Sequence, residues 1–308
     1  MPSTLSLKKK IRSTRNIAQI TRAMEAVSAV KMRRSEEVAL RSRPYALAAL
    51  EMLRNLRGAL SDEAISHTPL LEAREVKREL LIVVTSDKGL AGAFNANVLR
   101  RAEAFLKDAS APVEIVAVGK RARDYFARAK AHVTAEFFGV GDYVEAKETK
   151  PIADFLIEQF VSRKTDRVVV VYTNFLSALK QEVLVRTLLP LSVSTLREMV
   201  ESIVPSYGRY SELRSVKGSE PVTEYLLEPS AEHILRELVP ALVEIEVYDC
   251  IVEANVSEHA ARMVAMKNAS KNAGDLIGSL TRIYNRVRQA QITKELTEIS
   301  AGAEALAG

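Results

Sequence analysis

The sequence predicts an α/β protein with a long antiparallel coiled coil: N- and C-terminal helices paired as a stalk around a central, Rossmann-like, mostly parallel sheet domain. Three observations carry this. Two segments, Ser3 to Leu56 and Ala241 to Leu306, are almost free of glycine and proline. Each far exceeds the roughly 11 to 12 residues of an average globular helix. Apolar residues recur in both at narrow three-and-four spacing, and between them short apolar runs alternate with helix-like stretches.

The first helix carries Ile17, Ile20, Met24 and Val27 on one stripe, and such a seam is what a coiled-coil partner buries. Gly58 marks its stop, and Ser61 to Pro69 reads as a loop. The strand Glu79 to Thr85 follows, then a helix from Asn95 to Leu106. The strand Val113 to Val118 precedes a helix over Lys120 to Lys130. A helix from Pro151 to Arg163, with proline in its first turn, leads to the strand Arg167 to Tyr172. Gln181 to Leu189 is a further strand, and Ser192 to Pro221 a long polar loop. Alternation of this kind builds a mostly parallel sheet with helices on its faces.

Pro229 and Ser230 open the C-terminal helical region, with Ser230 as its cap. Pro240 predicts a kink, because it lacks an N–H and crowds the carbonyl four residues earlier. Beyond it the stripe runs through Leu276, Leu280, Ile283, Val287 and Ala290, then shifts phase to Ile292, Leu296, Ile299, Ala303 and Leu306. The two terminal helices are expected to pair with each other, and alanines at 18, 23, 26, 29, 269, 273 and 290 permit close approach. The division expected is 1–58 as an N-terminal stalk helix, 59–229 as an α/β domain and 230–308 as a C-terminal stalk helix.

Composition narrows the function classes. The 308 residues are 47% hydrophobic, yet no run approaches the roughly 18 apolar residues of a membrane span. Met1 to Arg12 is charged where a secretion signal would be apolar, which points to a cytosolic or already processed chain. Cys250 is the lone cysteine and the four histidines are scattered, so neither a disulfide within the chain nor a metal site is expected. Residues 1–57 hold 13 Lys/Arg against 4 Glu. That basic face is either solvated or set against an acidic neighbour; nucleic acid is the alternative. Its one aromatic, Tyr45, offers no platform for stacking bases.

The turn Thr85 to Asn95 (TSDKGLAGAFN) stands where an α/β sheet would bind phosphate, but it has neither the G-x-x-x-x-G-K-[ST] nor the G-x-G-x-x-G spacing. Gly89 and Gly92 serve a tight turn and close packing instead. Asp87 and Lys88 read as solvated neighbours, and His259 beside Glu258 as a surface helix residue. No nucleophile and base share a recognisable frame, so no catalytic residue and no cofactor are expected. Late in the last helix, Tyr284 to Glu298 (YNRVRQAQITKELTE) interrupts its seam with Asn285, Arg288, Gln289, Thr293 and Glu295. Ile299 to Gly308 holds one charge, Glu304. An end so apolar is expected to lie inside something.

Over essentially its whole length the chain resembles the gamma subunit of F-type ATP synthases. The matching stretches are IRSTRNIAQITRAMEAVSAVKMRRS (Ile11 to Ser35), VVTSDKGLAGAFNANV (Val83 to Val98), EHAARMVAMKNASKNAGDLI and YNRVRQAQITKELTEI. The resemblance implies a central rotor stalk inside three alpha and three beta subunits, one stalk per hexamer, with its foot on the membrane c-ring and its side against epsilon. It implies no nucleic acid and no self-association, and a place on the cytoplasmic face of the bacterial inner membrane. It implies that Arg288 and Gln289 bond a loop of a beta subunit, with Thr293 and Glu295 nearby. Met24 faces the beta-subunit lever in that family, and Arg262 matches a position tied to coupling. Lys88 and Asn95, with Tyr207 and Tyr225, would belong to the foot. The chain departs from many relatives in having Ala91 where they carry cysteine, and Cys250 alone cannot supply the cysteine pair of plastid forms.

Overall fold

The computed structural model describes residues 3–59, 68–191, 228 and 230–307. The Ser192 to Pro221 loop, Tyr207 and Tyr225 lie outside them. The elements are helix α1 (Thr4–Ala59), a 3-10 turn (Pro69–Leu71), strand β1 (Glu79–Val84), α2 (Phe94–Asp108), β2 (Val113–Val118), α3 (Lys120–Arg128), β3 (Val133–Phe137), α4 (Ala146–Val161), β4 (Arg167–Ser177), β5 (Lys180–Leu189) and α5 (Ala231–Ala307). They fall into two compact units: Met1–Val27 with Met263–Gly308, and Ser28–Arg262.

In the second unit the sheet order is β3-β2-β1-β4-β5, parallel except for the β4–β5 hairpin. β1 is buried at every residue, as expected of a central parallel strand covered on both faces. Phe126 of α3 and Val98 and Ala102 of α2 pack onto Leu81, Val83, Ile115, Ala117 and Val171. Burying one such phenylalanine contributes about 2 to 3 kcal/mol. The sequence reading did not include β3, because at this sheet edge its side chains alternate between half-buried and exposed rather than forming an apolar run.

One helix start differs from expectation. α4 starts at Ala146, not Pro151, because Glu145 and Glu148 form a reciprocal capping box that fixes an earlier start. Pro151 therefore sits within the helix at the cost of one backbone bond. α5 runs unbroken through Pro240, and it starts where Ser230 Oγ accepts the His233 N–H at 3.2 Å, the cap read from sequence.

In the first unit the chain leaves at Val27 and returns at Met263, so the two helices run antiparallel. On this part of α1 a line of half-buried and buried residues runs through Thr4, Leu7, Ile11, Thr14, Ala18, Thr21 and Glu25, an unbroken three-four rhythm with Ser6 and Met24 half-buried beside it. This corrects the expected seam. Ile17, Ile20 and Val27 are 52%, 59% and 53% exposed, one residue and hence about 100° around the helix from the contact line. Between Thr14 and Thr21 the line carries small and hydroxyl side chains, and the larger apolar stripe is left outside. The α5 seam uses Met266, Ala269, Ala273, Ile277, Leu280, Tyr284 and Val287; Leu276 and Ile283 face out.

Candidate functional site

The ends of β1, β2 and β3 converge on the turn 85–95. Thr85 Oγ1 donates to Val118 O at 3.0 Å and accepts from Ala122 N at 2.8 Å, stitching β1 to the start of α3. Asp87 is not merely solvated: its carboxylate accepts Lys120 N at 2.9 Å and Gly139 N at 2.8 Å. A carboxylate thus already occupies the positive N-terminus of α3, where an anion would otherwise be drawn. Asn95 accepts Ser86 N at 2.9 Å and donates to Ser86 Oγ at 2.8 Å, which closes the turn. A Cβ at Gly89 would stand 2.6 Å from Arg121 Nη2, the far end of a flexible side chain that can move aside, and Gly92 takes a φ of 58°.

α5 is fastened to this turn by Arg262, which is only 7% exposed. Its Nε donates to Gly89 O at 3.3 Å, Nη1 meets His259 Nδ1 at 3.2 Å, and Nη2 pairs with Glu258. His259 is buried, contrary to the surface position expected, because the α5 face carrying residues 256, 259 and 260 turns inward. Burial first, and the Arg262 charge second, lower its pKa to about 4, with Asp142 opposing. Burial raises the Glu258 carboxyl, opposed by Arg262. Cys250 is buried with its thiol pushed well up by desolvation, which makes it inert as a nucleophile.

The buried neutral imidazole has a pH consequence. The unfolded chain protonates His259 near 6.5 and the folded chain only near 4, so stability present above pH 6.5 is lost as pH falls through that window. His259→Gln is expected to remove up to about 3 kcal/mol of the acid-induced loss. Urea midpoints at pH 7 and pH 4.5 read it; an unchanged pH slope would show that His259 titrates normally.

The next contacts come from the 139–144 segment after β3. Asp142 Oδ2 accepts Lys31 Nζ of α1 at 2.6 Å and Oδ1 accepts Lys88 Nζ at 3.2 Å. Burial alone would raise the Asp142 carboxyl, but the two lysines hold it below the usual range. Ser35 Oγ donates to Asn255 Oδ1 at 2.8 Å and to Asp142 O at 3.3 Å. Sequence reasoning missed Asp142, Lys31, Ser35 and Asn255, whose contacts with one another span more than 100 residues. The glycines at 139 and 141 within this segment were its only local mark.

The other expected residues lie in the first unit. Arg288, Gln289, Thr293 and Glu295 are all exposed, and so is every residue from Arg288 to Ala303. Arg288 lies over the Tyr284 ring at 5.9 Å, Thr293 Oγ1 donates to Gln289 O, and Glu295 accepts from Gln291. Gln289 and Thr293 share one helix face; Arg288 and Glu295 share another. Ile292, Leu296 and Ile299 stand exposed at 48%, 60% and 68%. Among the described residues no three His, Cys, Asp or Glu side chains are placed to hold a metal ion, and no helix is long and apolar enough to cross a membrane.

A family model described as ATP synthase matches residues 3–306. The chain is 42% identical to the ATP synthase gamma chain of Roseiflexus castenholzii, over all of this chain and 99% of the relative. It is 40% identical to that of Pelotomaculum thermopropionicum, over 99% of this chain and all of the relative. The chain belongs to the ATP synthase gamma chain family. Among solved structures, a chain in the cryo-EM structure of Euglena gracilis mitochondrial ATP synthase (OSCP/F1/c-ring, rotational state 3) shares this fold with a TM-score of 0.64 at 18% identity, covering 98% of this chain and 94% of that one. The match spans the gamma chain from end to end, so the α/β domain and both long helices are family features. Nothing in it favours the nucleic-acid-binding alternative.

Proposed function

We propose that this gamma chain is the central rotor stalk of a proton-translocating ATP synthase, turning inside a hexamer of three alpha and three beta subunits. The observation that carries the reading is the run from Arg288 to Ala303, a continuous helix exposed on every face once its pairing with α1 has ended. Its apolar residues call for a surrounding sleeve, and its polar ones for a partner in one rotational position. An asymmetric rod in a threefold ring meets each beta subunit differently. Rotation then biases their conformations in turn, which is coupling by differential contact.

In this reading residues 1–58 and 230–308 form the stalk, while 59–229 form the foot on the c-ring and beside epsilon. The chain makes and breaks no bonds itself and needs no cofactor; the chemistry belongs to the beta subunits. The complex sits on the cytoplasmic face of a bacterial inner membrane, with this subunit peripheral to it. Lys88 and Asn95 belong to the foot. Asn95 acts by closing the turn, and Arg262 acts from inside by fixing α5 to that turn. Met24 lies beside the exposed Ile17–Ile20–Val27 stripe that meets the beta-subunit lever.

Reconstitution with an alpha–beta hexamer tests this: an attached bead is expected to rotate when ATP is supplied, and a hexamer that turns over ATP with the bead stationary would remove the reading. Arg288→Ala with Gln289→Ala is expected to lower proton-driven ATP synthesis several-fold while the isolated chain keeps its unfolding midpoint. Unchanged synthesis would take those two residues out of the coupling contact.

A further inference from the structure

The two long helices are held by the α/β domain in different ways. α5 is embedded: Leu242, Val243, Val247, Ile251, Val252, Val256 and Ala260 are buried along this part of it. α1 is clasped. Three of its side chains reach the 139–144 segment and Asn255: Lys31 to Asp142, Ser35 to Asp142 O and Asn255, and Arg34 over the Tyr143 ring at 4.4 Å. The same short segment also grips α5. Tyr248 Oη donates to Val144 O at 3.3 Å, and Asn255 Nδ2 donates to Gly141 O at 3.4 Å. Within six residues it therefore touches both helices and, through Lys88, the β1–α2 turn.

We propose that the 139–144 segment is the clasp through which the α/β domain holds α1 in rotational register with α5, and that Asp142 is its positioning residue for rotary coupling. The inference rests on the rotor reading above. Torque entering the foot reaches α5 through a packed core, which resists slip because interdigitated side chains are close-packed. To reach α1 at this level it also passes through charged and hydroxyl contacts, which flank the buried Met32. Such part-exposed pairs add little to equilibrium stability, yet here they set an angle between two elements. Asp142 is suited to this because its carboxylate bridges two lysines, one on α1 and one on the turn, while its carbonyl holds Ser35. Losing its charge frees two elements at once.

The test uses the assembled complex, comparing Asp142→Ala, Asp142→Glu and Lys31→Met with the parent. Expected for Asp142→Ala are a two-fold or greater rise in torsional compliance by single-molecule rotation, a three- to ten-fold fall in proton-driven synthesis, and hexamer ATP hydrolysis within two-fold of the parent. Lys31→Met, whose change lies on a helix surface and not in the loop, is expected to reproduce the compliance, and Asp142→Glu to restore more than half of the synthesis. Parent-like compliance in both Asp142→Ala and Lys31→Met would overturn the clasp. Equal impairment of Asp142→Glu and Asp142→Ala would overturn the role of the charge. A parent complex that does not rotate at all would instead sink the rotor reading, so the two failures are distinguishable.

Discussion

Gly119→Ala is expected to destabilise the chain by about 4 kcal/mol or more, combining a left-handed backbone conformation at about 1 to 3 kcal/mol with loss of buried hydrogen bonds at about 1 to 3 kcal/mol each. Gly119 has φ of +90°, and a Cβ there would sit 2.2 Å from Thr85 O, which is backbone and cannot swing aside. Relief requires β1 and the start of α3 to separate. That would break Thr85 Oγ1 from Val118 O and Ala122 N, and Gly119 N from Phe137 O. Gly139→Ala is the control: φ is +82°, but nothing lies within 4 Å of the new Cβ, so only the backbone term remains. Urea unfolding of the two variants separates the terms. Equal losses would mean that the Thr85 contact carries no energy, whereas a Gly119 variant that fails to fold while the Gly139 variant folds agrees with it.

The central sheet was legible because its strands are buried on both faces and so spell continuous apolar runs, as in LLIVV and VVVVY. β3 was not, since an edge strand has one poorly covered side and its VTAEF carries no such run. The terminal helices announced themselves by length, but the phase of their contact did not. Periodicity shows which face is apolar without showing what covers it. Here the pairing line includes Thr14, Ala18 and Thr21, and Ile17, Ile20 and Val27 are left to face outward. The same logic explains the exposed Ile292, Leu296 and Ile299.

The site divides along a similar line. Arg288 to Glu295 stood out as polar intrusions into a seam, and they lie on the exposed part of α5. The Glu258–Arg262 pair was readable in principle from its i,i+4 spacing. His259 was misplaced because a helix inside a domain has no solvent side at that level, and its neighbours in sequence do not reveal this. Asp142 was invisible, because a loop aspartate gains its meaning only from partners that the fold brings from two distant elements.

Arg262→Leu is expected to cost about 3 to 5 kcal/mol near pH 8, the range for removing one member of a buried ion pair. Leucine fills much of the volume but leaves Glu258 with its charge desolvated and Gly89 O without its donor. The loss should shrink on acidification. With the guanidinium gone, burial acts unopposed on Glu258, so its folded pKa rises further above its unfolded value, and the folded state then takes up a proton that the unfolded state does not. Stability relative to the parent therefore recovers as pH falls from 8 toward 5. Adding Glu258→Gln, which removes the charge at constant shape, is expected to recover more than half of the loss at pH 8. Urea midpoints for the parent, the single and the double variant at both pH values decide the matter. If the single variant loses the same amount at pH 8 and pH 5, the cost is packing and not charge. In that case Arg262 fastens α5 to the β1–α2 turn by shape alone, and a side chain of similar length would serve there equally well.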